Sequence, residues 1–180
     1  IEPVLIDVTD YASIERAAEQ LTQRLEGRGL DGLVNNAGIS VAGPLECLPM
    51  ADFDQQMRVN VSGQVAVTQA FLPLLRRARG RIVFMSSESG RVVLPLLGAY
   101  AASKHALEAV ADAFRRELGP AGIRVAIIEP GSIKTPIGEK ATGAGRALRV
   151  AVPRAEELYG PQLVSLEAMA AQAARFAADP

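Results

Sequence analysis

The apolar residues of this chain follow two spacings, which indicate the segments that form strands and those that form helices. Short apolar runs that end at turn residues predict strands at residues 4–6, 32–34, 81–85 and 123–129. Longer segments with an apolar residue every three or four positions predict helices at residues 14–28, 51–79, 100–118 and 155–178. From residue 136 this periodicity weakens, and residues 138–145 are polar and rich in glycine.

Strands that alternate with helices predict an α/β protein with a parallel sheet. The strand at residues 123–129 is almost entirely apolar, as expected where helices cover both faces of the sheet. The predicted fold class is therefore a doubly wound parallel sheet. A chain of 180 residues that is 49% hydrophobic and 22% charged fits one globular domain, residues 1–180.

Composition excludes several classes of function. The net charge is −1 without a basic tract, so we expect no nucleic-acid partner. The longest apolar runs are shorter than the roughly 18 residues that indicate a membrane span. A single cysteine, Cys47, excludes an internal disulfide, and no residue cluster has metal-ligand spacing. A cytoplasmic location is the default expectation, but the chain begins at Ile1, so an upstream targeting signal would not be seen.

The candidate chemistry lies between Ser87 and Lys104. Tyr100 and Lys104 are four residues apart on a predicted helix, so both side chains project from the same side. A nearby cation favours a phenolate, so we expect Lys104 to lower the pKa of Tyr100 and make it a usable acid or base. Ser87 follows a strand at the sheet edge where ligands bind. The alternative is that Ser87 starts a turn and Tyr100 an ordinary amphipathic helix.

Further residues give this arrangement a family resemblance. Asn35, Asn36, Ala37 and Gly38, then Asn60, Ser87, Tyr100, Lys104, Pro130 and Gly131 occur in an order and spacing that resemble the classical short-chain dehydrogenase/reductases. The resemblance covers nearly the whole chain and implies a Rossmann-like fold. The segments at residues 32–38 and 128–131 resemble, more weakly, the branch that acts on steroids, retinoids and small 3-hydroxy acids.

The resemblance implies an oxidoreductase that interconverts a secondary alcohol and a ketone by hydride transfer with NAD or NADP. It implies that Tyr100 is the general acid/base, that Lys104 tunes it and orients the cofactor ribose, and that Ser87 stabilises the substrate oxygen. Asn60 would anchor a proton relay. The implied assembly is a homodimer or homotetramer formed through the helices at 51–79 and 100–118.

The resemblance also implies the residues that bind the cofactor. In addition to Tyr100 and Lys104, these are Asp7, Val8, Asn36, Ala37, Gly38, Pro130, Gly131, Ile133 and Thr135. Structural explanations exist for several of them. Asparagine and glycine favour turns, a Pro-Gly pair commonly follows a strand, and Asp7 lies beside Asp10 and Ser13, which are candidate helix caps.

The region after residue 136 resembles a flap that covers the substrate, here assigned to residues 136–165. Its apolar residues, together with those of the segment before Tyr100, could line a lipophilic pocket for a small apolar alcohol or ketone. They are Val92, Val93, Leu94, Leu96, Leu97, Ile137, Leu148, Val150, Val152, Leu158, Tyr159 and Leu163. The competing explanation is that these residues only pack the flap onto the core.

One feature of dinucleotide-binding domains is not found. No glycine-rich G-x-x-x-G-x-G or G-x-G-x-x-G stretch lies between a strand and a helix. The resemblance places that motif upstream of Ile1, so we expect this sequence to be part of a larger fold whose first two strands and last strand are missing. The alternative function is a non-catalytic scaffold, or a truncated fragment that cannot bind a dinucleotide.

Overall fold

A computed structural model of the 180-residue chain describes residues 2–133 and 136–176. Its sheet has three parallel strands in the order β1 (Gly32–Asn35), β2 (Arg81–Met85) and β3 (Arg124–Ile128). Parallel neighbours need a crossover connection, which helices supply here. The predicted α/β class with a parallel sheet is thereby confirmed, and the range predicted for β2 is the observed one.

Six α-helices accompany these strands in the described part of the chain. They are α1 (Tyr11–Arg24), α2 (Met50–Met57), α3 (Gly63–Ala78), α4 (Gly98–Leu118), α5 (Pro136–Ala151) and α6 (Pro153–Phe176). A π-helical turn, Arg58–Ser62, separates α2 from α3, which were predicted as one helix. Short 3₁₀ turns occupy Glu88–Gly90 and Gly119–Ala121. None of the described helices is both long and apolar enough to span a bilayer.

The core lies between one face of the sheet and helices α1, α3 and α4. Side chains of a strand alternate between faces, so the paired residues Leu33, Ile82 and Val125 share this face. Phe84 lies on it too and stacks on Phe114 of α4, with ring centroids 6.0 Å apart. Burying each large apolar side chain contributes about 1.5–3 kcal/mol, which fixes α4 against the sheet.

The opposite face of the sheet is less covered by the described residues. Val34 of β1 is 60% exposed and Ile128 of β3 is 46% exposed. Both side chains point away from the core because they alternate with its residues along each strand. Helices α3 and α4 therefore pack on the core face of the sheet, and α1 packs on α3.

Helix α1 shows how local sequence sets an element's ends. The N-cap of α1 is Asp10, one of the two predicted caps. The Asp10 carboxylate accepts a hydrogen bond from the Ala12 amide at 3.0 Å. The helix stops at Arg24 rather than at residue 28 because Glu26 and Gly27 have positive φ angles. A left-handed backbone cannot continue a right-handed helix.

One strand predicted near the start of the chain differs from the structure. The strand predicted at residues 4–6 is wrong: residues 2–7 have no regular secondary structure, and Leu5 is 94% exposed. No described strand pairs with this segment, and an apolar run becomes a strand only through a neighbouring strand. The glycine-rich segment after residue 136 forms helix α5.

Candidate active site

Ser87, Tyr100 and Lys104 come together where β2 ends and α4 begins. Ser87 follows β2 by two residues, Tyr100 lies in the first turn of α4, and Lys104 lies one turn later. The Lys104 Nζ atom is 5.6 Å from the centroid of the Tyr100 ring, so the predicted placement on one side of the helix is confirmed. Lys104 is only 4% exposed, whereas the Tyr100 ring is half-buried.

The environment of the Tyr100 phenol differs from the expectation. Burial raises its pKa above the ordinary value of 10.0, a hydrogen bond from the Ser87 side chain lowers it, and the nearby Glu88 carboxylate raises it again. The net direction is upward, so the predicted lowering by Lys104 is wrong for this structure. The reason is that loss of hydration of the phenolate outweighs the favourable interactions.

Lys104 is a buried cation with one backbone partner. Its Nζ donates a hydrogen bond to the carbonyl oxygen of Met85, the last residue of β2, at 2.7 Å. Burial lowers the pKa of Lys104 to about 8, and the Glu108 carboxylate opposes that change. An ammonium group carries three hydrogens, so donors remain for a further partner beside Tyr100.

Ser87 is held by its own short turn. Its Oγ accepts a hydrogen bond from the Ser89 amide at 3.2 Å, which leaves its hydroxyl hydrogen directed to another acceptor. The backbone amides on either side of Ser87 bond to the end of strand β3 and the residues after it. The Ser86 amide donates to the Ile128 carbonyl at 2.8 Å, and the Glu88 amide donates to the Pro130 carbonyl at 3.2 Å. The serine is thereby tied to the segment that contains Pro130 and Gly131.

Asn60 lies in the π-helical turn and is fully buried. Its Nδ2 donates to the Ile39 carbonyl at 2.9 Å and to Ser103 Oγ at 3.0 Å, and its Oδ1 accepts from the Ile39 amide at 2.9 Å. Ser103 in turn donates to the Tyr100 carbonyl at 2.7 Å. The predicted relay residue therefore connects the segment after β1 to helix α4, next to Lys104.

Three further polar side chains hold the segment after β1, and the sequence analysis did not single them out. Gln56 accepts from the Val41 amide and donates to the Ile39 carbonyl, each at 2.7 Å, and Gln64 donates to the Ala37 carbonyl at 2.7 Å. Thr68 accepts from Asn35 Nδ2 at 2.9 Å. A signal was present, because positions 56, 60, 64 and 68 form a polar row at four-residue spacing.

The predicted cofactor residues after β1 fall into two groups. Asn36 and Ala37 are exposed. A Cβ atom on Gly38 would lie 3.6 Å from Asn60 Oδ1 and 3.9 Å from Lys104 Nζ, so the Gly38 backbone lies close to the lysine. A ribose ring needs such a close approach to backbone beside a hydrogen-bond donor, and these residues fit one.

The structure places Val8 against the start of α3, and Asp7 directly precedes it. The Asp7 carboxylate accepts hydrogen bonds from the Thr9 amide at 2.8 Å and the Thr9 hydroxyl at 2.7 Å, which lower its pKa. The Val8 carbonyl lies 2.6 Å from the position of a Cβ on Gly63. A cavity of about 420 Å³ opens here, and neither Ser87 nor Tyr100 lines it. It is lined by Val8, Thr9, Tyr11, Asp54, Met57, Arg58, Ser62 and Gly63.

The remaining cofactor residues follow β3. Pro130 is half-buried, and a Cβ on Gly131 would lie 3.5 Å from Glu88 Oε2, beside the turn of Ser87. Ile133 is exposed. Thr135 lies outside the described residues. Within the described ranges, no group of three His, Cys, Asp or Glu residues could hold a metal ion.

Helices α5 and α6 pack on the segment that precedes α2. Leu148 and Leu163 are buried, and Leu148 contacts the backbone at Gly43. On α6, Arg154 Nη2 and the Tyr159 hydroxyl each lie 2.8 Å from the carboxylate of Glu46. Packing therefore accounts for some of the apolar residues predicted to line a pocket. Others, Val92, Val93, Leu94, Val150 and Leu158, are exposed.

Known proteins resemble this chain in both sequence and fold. The family model described as short chain dehydrogenase matches residues 1–144. The chain is 42% identical over 147 residues to an NADPH-dependent 3-dehydrocapnine reductase of Ornithobacterium rhinotracheale, which covers 79% of this chain and 52% of that protein. It is 43% identical over 169 residues to human retinol dehydrogenase 16, covering 92% and 53%. The chain spans about half the length of the curated relatives it matches.

Solved structures give the same result. An NADPH-bound carbonyl reductase from chicken fatty liver superimposes with a TM-score of 0.71 at 30% identity, over 74% of this chain and 59% of that one. An alcohol dehydrogenase of Thermococcus sibiricus, solved with 5-hydroxy-NADP, gives 0.70 at 27% identity, over 75% and 56%. The residues of the predicted motif thus occur on the family's fold. The chain belongs to the short-chain dehydrogenase family.

Proposed function

We propose that this chain carries the catalytic residues of an NAD(P)(H)-dependent oxidoreductase that interconverts a secondary alcohol and a ketone. The observation that supports this most directly is the Tyr100 phenol, hydrogen-bonded by Ser87 and 5.6 Å from the Lys104 ammonium. The names of the relatives, a reductase and a retinol dehydrogenase, support the coarser class, redox between an alcohol and a carbonyl group.

The cofactor would supply or accept the hydride, and the chain's own residues would bind and orient it. Lys104 has donors left beside the Gly38 backbone, a suitable site for the hydroxyls of the nicotinamide ribose. Gly131 lies beside Glu88 of the Ser87 turn and, without a side chain, leaves room for a flat ring. Val8 borders a cavity of about 420 Å³ that suits the adenine end.

In the reductive direction, Tyr100 Oη donates its proton to the substrate carbonyl oxygen. The Ser87 hydroxyl, fixed by the Ser89 amide, donates a hydrogen bond to the same oxygen. The phenolate left on Tyr100 is stabilised by the Lys104 ammonium. Tyr100 is protonated at neutral pH, as a proton donor requires, and its raised pKa makes it a weaker acid than an unperturbed phenol.

The proposed substrate is apolar. The exposed side chains of Val92, Val93 and Leu94 follow the Ser87 turn, and helices α5 and α6 lie over the neighbouring segment. We propose that residues 136–165 form the flap that covers the substrate. Retinol, named for several relatives, is an apolar alcohol and supports this choice.

The Tyr100→Phe variant tests the assignment. Removing the phenolic proton should lower kcat for ketone reduction at least ~100-fold, the usual contribution of a general acid. The Kd for NADPH and NADH, measured by fluorescence titration, should stay within about twofold, because the ring and Lys104 remain. Retention of substantial turnover would refute the role of Tyr100. A purified protein with no saturable binding of either nucleotide would instead support the scaffold alternative.

A further inference from the structure

Helix α4 carries a buried carboxylate that the proposed reaction does not use. Glu108 lies one turn after Lys104 on the row of residues that begins with Tyr100, and it is only 7% exposed. A buried carboxylate is costly unless a cation compensates its charge. The side chains around Glu108 therefore indicate why the fold keeps it.

One cation contacts this carboxylate, and a second lies one turn away on the same helix. Arg91 Nη2 lies 3.0 Å from Glu108 Oε2, and the same guanidinium donates to Glu129 Oε1 at 2.8 Å. Lys104 on the preceding turn is the second cation, and Glu108 raises its pKa against the effect of burial. Asp112 and Glu129 act on Arg91 from its other sides.

The Arg91 contacts join three segments that lead to the site. Arg91 follows the turn of Ser87, Glu108 belongs to the helix of Tyr100 and Lys104, and Glu129 directly follows strand β3. One guanidinium thus connects the serine turn to both neighbouring elements. A change of the Glu108 charge would affect all three segments through Arg91.

The carboxylate and the Ser87 turn also approach each other closely. A Cβ on Gly90 would lie 2.8 Å from Ser86 Oγ and 3.0 Å from Glu108 Oε1, so a side chain at this position would have to displace one of these two groups. Neither Glu108 oxygen nor Ser86 Oγ has a hydrogen-bond partner of regular geometry among the described residues. The charge of Glu108 is therefore balanced by its ion partners rather than dispersed over hydrogen bonds.

We propose that Glu108 is a positioning residue for the proton-transfer pair: its buried charge keeps Lys104 an ammonium ion and, through Arg91, fixes the turn that carries Ser87. This inference rests on the proposed oxidoreductase function. Glu108 touches no reacting atom, so its effect is exerted through Lys104 and Ser87. Its chemical signature is the pH at which Lys104 loses its proton.

The Glu108→Gln variant keeps the side-chain shape and removes the charge. Without it, burial acts on Lys104 unopposed, and the lysine becomes neutral at a lower pH. In the wild type the alkaline limb of kcat/KM for ketone reduction, which reports the free enzyme, should lie near pH 8. In the variant it should move down by at least about half a pH unit, so kcat/KM at pH 7.5 should be lower by at least about 1.5-fold. Glu117→Gln, an exposed change on the same helix, should match the wild type.

A limb in Glu108→Gln that coincides with that of the wild type would overturn the proposal. Where that variant does not fold, Arg91→Gln serves, since it leaves the carboxylate beside Lys104. Its limb should stay at or above the wild-type pH while the KM for the ketone rises, and a limb shifted downward would contradict the inference.

An NMR titration of the lysine side chains separates this inference from the proposed function. This sequence contains three lysines, so the Lys104 signal is assigned by its loss in Lys104→Met. Its titration midpoint should be lower in Glu108→Gln, whether or not the protein turns over a ketone. An inactive wild type with the expected NMR shift would refute the reaction and leave the electrostatic role intact. An active wild type with no shift would refute only the role of Glu108.

Discussion

Lys104 Nζ donates a 2.7 Å hydrogen bond to the carbonyl oxygen of Met85 and so connects helix α4 to the end of strand β2. This contact brings a cation into the protein interior, where its pKa falls to about 8. A group whose charged form is disfavoured by folding destabilises the native state whenever it is charged. Lys104, which the proposed reaction requires, therefore destabilises the folded protein at neutral pH.

Replacing Lys104 by Met should accordingly stabilise the protein at neutral pH and abolish turnover. A pKa lowered from 10.5 to about 8 corresponds to about 3 kcal/mol of lost stability when the lysine is charged. Leaving the Met85 carbonyl without its donor returns about 1–2 kcal/mol of that gain. Urea unfolding at pH 7 should therefore show a net increase of about 1–2 kcal/mol in the free energy of unfolding.

The pH dependence of that gain has a definite sign. Between pH 8 and 10.5 the unfolded wild type binds more protons than the folded one, so wild-type stability rises with pH in this window. The advantage of Lys104→Met should thus shrink by about 2 kcal/mol between pH 7 and pH 9.5. An advantage that is constant over this range would show that Lys104 is not a strained cation.

Gln56 and Gln55 offer a matched pair for testing how the segment after β1 is held. Both are glutamines of helix α2, but Gln56 is fully buried and bonded to the Val41 amide and the Ile39 carbonyl, whereas Gln55 is exposed. Gln56→Ala leaves the Val41 amide without its acceptor and the Ile39 carbonyl with Asn60 as its side-chain donor, and should lower the free energy of unfolding by about 1–3 kcal/mol. Gln55→Ala should change it by less than about 0.5 kcal/mol. Equal effects in urea unfolding would contradict this account of the segment.

The sequence was sufficient for features that depend on neighbouring residues. The strand at residues 81–85 and the common side of Tyr100 and Lys104 follow from periodicities of a few residues, and both are observed. The upward pKa of Tyr100 depends instead on how deeply α4 packs, which is a property of the whole core. The spacing of Tyr100 and Lys104 in the sequence indicates that a cation is near the phenol, but it does not indicate how much hydration the phenolate loses in the fold.

Contacts between distant segments account for what the sequence did not predict. The ion pairs of Arg91 link residues separated by 17 and 38 positions, counted from Glu108 and Glu129. Nothing in the local pattern distinguishes these side chains from surface charges. The run at residues 4–6 shows the converse, because its apolar residues had the strand pattern but no described strand beside it. Whether an apolar run forms a β-strand therefore depends on a neighbouring strand to pair with.

The last prediction concerns the contact between Glu46 and helix α6. Arg154 and Tyr159 both bind this carboxylate, and the hydrogen bond raises the pKa of the Tyr159 phenol. All three groups are partly exposed, so Glu46→Gln should change global stability by less than about 1 kcal/mol. Local opening of α6 should nevertheless become more frequent, because this contact ties the helix to the segment before α2. Hydrogen exchange of residues 153–163 should therefore accelerate, while Glu157→Gln, an exposed change on the same helix, should leave it unchanged.

In the proposed enzyme the looser flap should raise the KM for an apolar ketone and leave kcat nearly constant, since it would weaken binding without disturbing Tyr100. Unaltered exchange in Glu46→Gln would show that the packing of Leu148 and Leu163 alone holds these helices in place.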